Sequence, residues 1–435
     1  MSPSALGHAA WLARCAMVVL LCASCSSPPA RTSGTRDAPP AKAAPVDVDA
    51  KRVAELAAAS GTPAFPPAPA TPSAADGRAP VAPLVRHAVR LAGTPEEIGR
   101  QHGRILAEQI KTVLREYILG SDAWQHDRDR LLARVRVMKK SLPAWYVREI
   151  AACAAAAGVD EDTLLYTQCE GDVKSLPRCT TYVALPEATH DGQVEMGRNF
   201  DYWGLESTEE CATVFAVVPE RDDGYAFVSV GWAGILGGWT IVNERGLFVA
   251  NNLGGGAAKN PAGIPTLILQ RIVAQKAGSV AEAIGIIGRS PRMRGQCLVI
   301  GQAADAARGI PASAAAVSYD AERVDVRPAT DGVAFHTSVG TVRGDLCAQL
   351  KRGRRSPIDP IRWAGNGITL HSVAVRPQQH LIWVAHGRPS FAYLGDYIEY
   401  DVRILLSRDG PPRDRVPGVV RFRGARRPPR RSNSP

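Results

Sequence analysis

The chain has 435 residues, 45% of them hydrophobic and 22% charged, which is long for a single small domain and apolar enough for a large core. Its formal charge of +10 is of the sign that suits a polyanionic partner, but residues 408–435 hold nine arginines against Asp409 and Asp414. That tail accounts for +7 and leaves +3 for everything else, so a nucleic-acid-binding core is excluded and no specific nucleic-acid partner is expected.

Near the N-terminus, Arg14 precedes the apolar run Cys15 to Leu21, and Cys22-Ala23-Ser24-Cys25 follows. A charged start, a short apolar stretch and small residues before a cut site predict a signal peptide over residues 1–24; the stretch is too short to span a bilayer. The small residues ahead of Cys25 are similar to a bacterial lipobox. Cys25 is therefore a candidate for lipid attachment, and the protein is expected to be exported and membrane-anchored, or secreted if ordinary cleavage occurs instead. Residues 25–83, rich in Ala, Pro, Ser and Thr, cannot bury enough surface to offset their ordering entropy and predict a disordered tether.

Residues 84–178 predict a helical segment. Thr94-Pro95-Glu96-Glu97 offers an N-cap, a proline in the first turn and a capping-box glutamate, after which Ile98, Ile105, Leu106, Ile110, Val113, Leu114 and Tyr117 recur at helical spacing. His102 falls on that apolar face, which makes it a core histidine. Further helices are expected over 127–140 and 143–157, with Gly158 as a stop.

Cys179 opens a β-prone run, Thr180 to Leu185, which is followed by Asp191-Gly192 and a second run ending in Arg198-Asn199-Phe200-Asp201. An Asp-Gly pair between such runs predicts a hairpin that folds Arg198 and Asp201 back beside the thiol. One cysteine flanked by a cation and an anion is the layout of an N-terminal-nucleophile (Ntn) hydrolase cut between Arg178 and Cys179. The unperturbed thiol, with a pKa of about 8.5, is mostly protonated at neutral pH, whereas an α-amine at about 7.7–8.0 can take its proton without a histidine. Cleavage would then release the helical pro-segment and expose that amine.

Strands are expected near 213–218, 225–230, 239–242, 247–251, 297–300, 314–319, 324–327, 368–375 and 381–386, with helices over 266–276 and 280–288. Runs of strands interrupted by paired helices suit an α+β fold of two packed sheets covered on both faces. Residues 179–405 form the expected catalytic domain and 406–435 a Pro/Arg-rich disordered tail. Asn243 is expected in a turn, and Tyr202, Trp232 and Trp239 are candidates to line an acyl pocket. Gly254-Gly255-Gly256 lacks a following Gly-Lys-Ser/Thr, which rejects nucleotide binding. Apart from Cys22 and Cys25 at the expected cut site, the nine cysteines show no Cys-x-x-Cys and the histidines do not cluster, so neither a metal nor another cofactor is expected.

Gly93 to Gly99 with Gln101-His102-Gly103, Cys179-Thr180-Thr181, Gly197 to Asp201, Asn243 to Leu247, Gln270 to Val273 with Ser279 to Ala283, and Ile382 to Gly387 stand in an order and spacing that resemble the acyl-coenzyme A:6-aminopenicillanic acid acyltransferase family of cysteine Ntn hydrolases. The resemblance implies a four-layer αββα sandwich and an acyl-cysteine mechanism on a small acyl amide or thioester. It also implies an oxyanion donor in the stretch after Gly246-Leu247, which leaves Asn252, favoured, or Asn251. Where relatives often carry asparagine, this chain has Ser338. Two alternatives remain open from the residues: a papain-like set of Cys179, His336 and Asn366, and a binding lipoprotein of the same fold without catalysis.

Overall fold

The computed structural model describes residues 85–173, 178–202, 211–338, 343–353, 356–366, 368–386 and 392–422. The expected signal peptide, Cys25, the tether, residues 174–177 and the last thirteen residues lie outside the described residues.

Strand β1 (Val85–Gly93) leads into α1 (Pro95–Ile105), capped by Thr94 with the reciprocal Glu97 contact that the sequence predicts. The helical segment continues through α2 (Ala107–Val113), a π-helical turn at Leu114–Leu119, α3 (Asp122–Lys139), α4 (Ala144–Ala157) and α5 (Glu161–Val173). Gly158 ends α4 in the left-handed region at φ 68°. Helices α1 and α4 lie in close contact: a Cβ on Gly99 would meet the Glu149 carbonyl oxygen at 2.1 Å, and one on Gly103 the Cys153 carbonyl oxygen at 2.2 Å. Both glycines are therefore packing requirements.

The second part contains β2 (Arg178–Ala184), β3 (Glu195–Asp201), β4 (Ala212–Pro219), β5 (Phe227–Trp232), β6 (Thr240–Asn243) and β7 (Phe248–Asn252). Helices α6 (Thr266–Lys276) and α7 (Val280–Arg289) follow, then β8 (Gln296–Gln302), β9 (Ser313–Tyr319), β10 (Val324–Pro328) and β11 (Val333–Thr337). The last elements are α8 (Arg343–Leu350), α9 (Asp359–Trp363), β12 (Thr369–Arg376), β13 (Leu381–His386), β14 (Tyr397–Asp401), α10 (Val402–Leu405) and β15 (Arg413–Phe422).

All fifteen strands form one continuous sheet, in the order β10-β9-β8-β7-β6-β5-β4-β1-β15-β14-β13-β12-β3-β2-β11, that doubles over on itself. Alternation along the strands fixes the layers. Val214, Ala216 and Val218 of β4 meet Val183, Met196, Val373 and Val384 in the core between the two halves of the sheet. Phe215 and Val217 turn outward against the first helical layer, with Ile98, Ile150, Leu164 and Ile268. Tyr182, Ala374 and Trp383 turn outward on the other side against Leu346 and Ile361 of α8 and α9. This is the four-layer αββα sandwich, in which central strands such as β4, β5 and β8 are buried on both faces and run largely apolar.

Three expectations are corrected here. Residues 85–93 form a strand, parallel to β4 and antiparallel to β15, so the N-terminal segment is woven into the sheet and a cut before Cys179 would not by itself release it. The tail is not disordered from 406, because Val416 packs in the inter-sheet core and β15 pairs with β1 and β14. The β2–β3 connection is a ten-residue loop with a 3-10 turn at Pro186–Ala188, not a tight Asp-Gly turn; Cys179 consequently faces Phe200.

Buried polar contacts tie the N-terminal helices to the sheet. Arg271 of α6 donates from Nη1 and Nη2 to the two Glu149 carboxylate oxygens of α4, at 3.1 and 2.9 Å. The Gly234 amide donates to His102 Nε2 at 2.9 Å, and burial pushes the His102 pKa down to about 3. His102 is thus a neutral core acceptor, as its place on the apolar face predicted.

Candidate active site

Cys179 lies fully buried at the head of β2. Its register with β3 places Phe200 opposite it, Arg198 opposite Thr181, and Asp201 opposite Arg178. Cys179, Thr181, Arg198 and Phe200 therefore share the inner face of the sheet, and the hairpin brings the predicted cation to the thiol. Arg198 Nη2 donates to Cys179 Sγ at 3.1 Å and to the Asn251 carbonyl oxygen at 3.0 Å, with Asn251 Oδ1 at 3.4 Å. Burial pushes the thiol up to about 11, opposed chiefly by the Arg198 charge. The same burial lowers the Arg198 pKa, and Arg198 Nε is a buried donor with no hydrogen-bond partner among the described residues.

Asp201 comes to the site in a different way from the one expected. Its backbone amide donates to the Cys179 sulfur, while its carboxylate accepts from Thr369 Oγ1 at 2.6 Å and from Asn366 Nδ2 at 2.7 Å. Burial raises that carboxyl to about 6, with the Thr369 and Asn366 hydrogen bonds opposing the shift. Asn366 is thus a clamp on Asp201 and makes no contact with the thiol.

The Cys179 amide, still joined to Arg178, donates to Ser338 Oγ at 2.9 Å, and the Ser338 amide donates back to the Cys179 carbonyl at 2.9 Å. Ser338 therefore touches the nucleophile's backbone nitrogen, the atom that cleavage would turn into an amine. His336 lies opposite Thr181 and sits 2.8 Å from the Leu253 carbonyl oxygen through Nε2. With His336 on Leu253 and Asn366 on Asp201, the papain-like set is not assembled.

The two candidate oxyanion donors diverge. Asn252 is fully buried and its Oδ1 accepts from Thr181 Oγ1 at 2.9 Å, next along β2 on the same face as Cys179. Asn251 turns its carbonyl and Oδ1 to Arg198 and lines a small cavity of ≈ 30 Å³ with Phe200, Tyr202, Trp239 and Tyr117. Asn243 is a turn residue as expected: its Oδ1 accepts from the Arg245 and Leu247 amides.

The aromatic residues form one cluster with the nucleophile, in which Phe200, Trp232, Trp239 and Leu370 pack around Cys179. Val113 and Tyr117 of the N-terminal segment close over it. Tyr117 Oη bonds Glu170 Oε2 at 2.5 Å and Tyr202 Oη at 2.6 Å, so helices before the expected cut line the site. Nothing in the sequence around Tyr117, Glu170 or Thr369 marks them for this neighbourhood, because long-range packing alone brings them there.

A doubled sheet between helical layers, with a cysteine heading an inner strand and an arginine on its sulfur, is the Ntn-hydrolase αββα architecture. Residues 188–334 match the family described as acyl-coenzyme A:6-aminopenicillanic acid acyl-transferase. An uncharacterized protein of Archaeoglobus fulgidus is 26% identical over 239 residues, 48% of this chain and 40% of that protein, so the chain spans about two-fifths of the length of the curated relative it matches. Among solved structures, the Caenorhabditis elegans ortholog of N-acylethanolamine-hydrolyzing acid amidase matches at TM-score 0.36 and 17% identity over 46% of this chain and 93% of that one. Penicillin V acylase from Agrobacterium tumefaciens matches at TM-score 0.33 and 13% identity over 51% and 91%.

Proposed function

We propose that the protein is an exported Ntn-type amidohydrolase or acyltransferase, self-cleaved before Cys179. The reading is carried by the 3.1 Å contact between Arg198 Nη2 and Cys179 Sγ, with Ser338 on the nitrogen of the same residue. Hydrolysis of the Arg178–Cys179 amide leaves a carboxylate on Arg178 and an α-amine on Cys179. That amine accepts the thiol proton, and Arg198 holds the thiolate as counter-ion. The sulfur adds to an amide or thioester carbonyl, the amine returns the proton to the leaving group, and water or a second amine resolves the acyl-cysteine. Ser338 Oγ and the Asp201 carboxylate orient the amine.

Asn251, whose Oδ1 is held toward Arg198, is favoured over Asn252 as the oxyanion donor, since Asn252 Nδ2 already donates to the Ala250 carbonyl oxygen at 3.4 Å. Aromatic residues around the sulfur suit an apolar acyl arm. The named activities of the similar proteins, on an N-acylethanolamine and on penicillin V, lie within the same class of acyl amides. Among the described residues no helix is long and apolar enough to cross a membrane, and attachment through a lipid on Cys25 is part of the proposal.

Acyl-enzyme trapping tests it. An activated acyl ester should add one acyl mass to the peptide beginning at Cys179 in wild type and none in Cys179→Ala. Turnover of acyl amides by Cys179→Ala at the wild-type rate would exclude the mechanism.

A further inference from the structure

Strand β12 carries a bulge beside the nucleophile. Thr369 lies opposite Asp201 and His371 opposite Phe200, which makes Leu370 the extra residue. In an unbroken register Leu370 would face Phe200 and His371 would turn to the outer face with Asn199. The bulge keeps both on the inner side: Leu370 joins the cluster around Cys179, and the His371 ring stacks on Phe200 at 5.0 Å between centroids.

His371 Nε2 lies 3.0 Å from Arg198 Nη1 and 3.0 Å from Thr240 Oγ1. A guanidinium only donates, so Nε2 must be the acceptor and the Thr240 hydroxyl must donate to it as well. The imidazole is therefore neutral, with its proton on Nδ1. Burial, then the Arg198 charge and then His386 hold its pKa well below the usual value, so it stays neutral through the physiological range.

We propose that His371 is a positioning residue that holds one arm of the Arg198 guanidinium so that the other arm meets Cys179 Sγ. The proposal rests on Cys179 being the nucleophile. The guanidinium is a rigid planar fork, so fixing Nη1 fixes the direction of Nη2. Without the imidazole, every remaining hydrogen bond of Arg198 runs through Nη2, and the plane can swing about that arm.

His371→Phe keeps a ring on Phe200 but removes the acceptor, whereas His371→Gln returns an acceptor oxygen. Iodoacetamide alkylation of Cys179, read by peptide mass against pH, should be slower in His371→Phe by about tenfold at neutral pH, with its midpoint moved upward. Its kcat should fall about 10- to 100-fold with KM within about threefold, and His371→Gln should recover most of the loss. In wild-type protein labelled with 15N-histidine, His371 Nε2 should give the signal of an unprotonated acceptor between about pH 5 and 8. That spectrum decides the matter even if the phenylalanine variant does not fold. A wild-type alkylation profile in His371→Phe, or a protonated Nε2 in the wild-type spectrum, overturns the assignment. Neither readout requires turnover, so failure here is distinguishable from failure of the proposed enzymatic activity.

Discussion

Replacing Arg198 with methionine removes the one cation within hydrogen-bond reach of Cys179 Sγ among the described residues, with little change in volume. At 3.1 Å a thiolate and a guanidinium attract by about 5 kcal/mol at an effective dielectric near 20, and by about 1 kcal/mol in bulk water. Even with that help the buried thiol stands at about 11. Losing it should raise the thiol by at least about one further unit and cut thiolate-dependent chemistry at neutral pH at least about tenfold. Alkylation rates across pH, with kcat/KM on an acyl amide, measure both effects. Arg198→Lys should be intermediate, because one ammonium cannot serve Sγ and His371 together. A folded Arg198→Met variant alkylated at the wild-type rate at every pH would refute the reasoning. The value of about 11 belongs to a chain whose Cys179 nitrogen is an amide, so material cut at 178–179 should react with a lower midpoint.

Asp201 and the N-terminal helices give further expectations. Burial lifts the Asp201 pKa in the folded protein to about 6, above its unfolded value. The folded state then holds that proton more tightly, and this group's contribution to stability is present at low pH and lost as pH rises through about 6. Asp201→Asn should therefore be more stable than wild type above that pH, by up to about 3 kcal/mol in denaturant titrations, while losing activity; equal stability at pH 5 and pH 8 relative to wild type would contradict this. Glu149→Ala leaves the Arg271 guanidinium buried without its carboxylate and should cost about 3–5 kcal/mol, most of it recovered when Arg271→Met is added. A loss under about 1 kcal/mol in the single variant would show that the pair is not buried as described. Because β1 is hydrogen-bonded between β4 and β15, cut chains should elute as one species under native conditions and separate only in denaturant.

The sequence made local matters readable. The Thr94 cap, the Gly158 stop, the bounds of α6 and the strands from β4 to β9 follow from propensity, capping and apolar runs, and each lies within a few residues of its predicted place. The Cys179–Arg198 contact was legible because two strands joined by one loop must pair, even though the loop is longer than an Asp-Gly turn and moves the partner to Phe200. Other features depend on contacts distant in sequence. Strands β1 and β15 are interrupted by arginines, and their pairing with each other and with β4 and β14 makes them strands. Asn366 reads as a loop residue until β12 carries it to Asp201. His371 becomes informative only through a one-residue bulge, which leaves no mark in composition. Ser338 is legible as a departure from the resemblance, and through its contact with the Cys179 amide the smaller side chain still reaches the nitrogen at issue.

Intact mass of the purified protein under denaturing conditions, wild type beside Cys179→Ala, tests the account most directly. Wild type should give two chains meeting between residues 178 and 179, and the variant a single uncut chain. An active wild-type preparation whose Arg178–Cys179 bond remains whole would contradict the account.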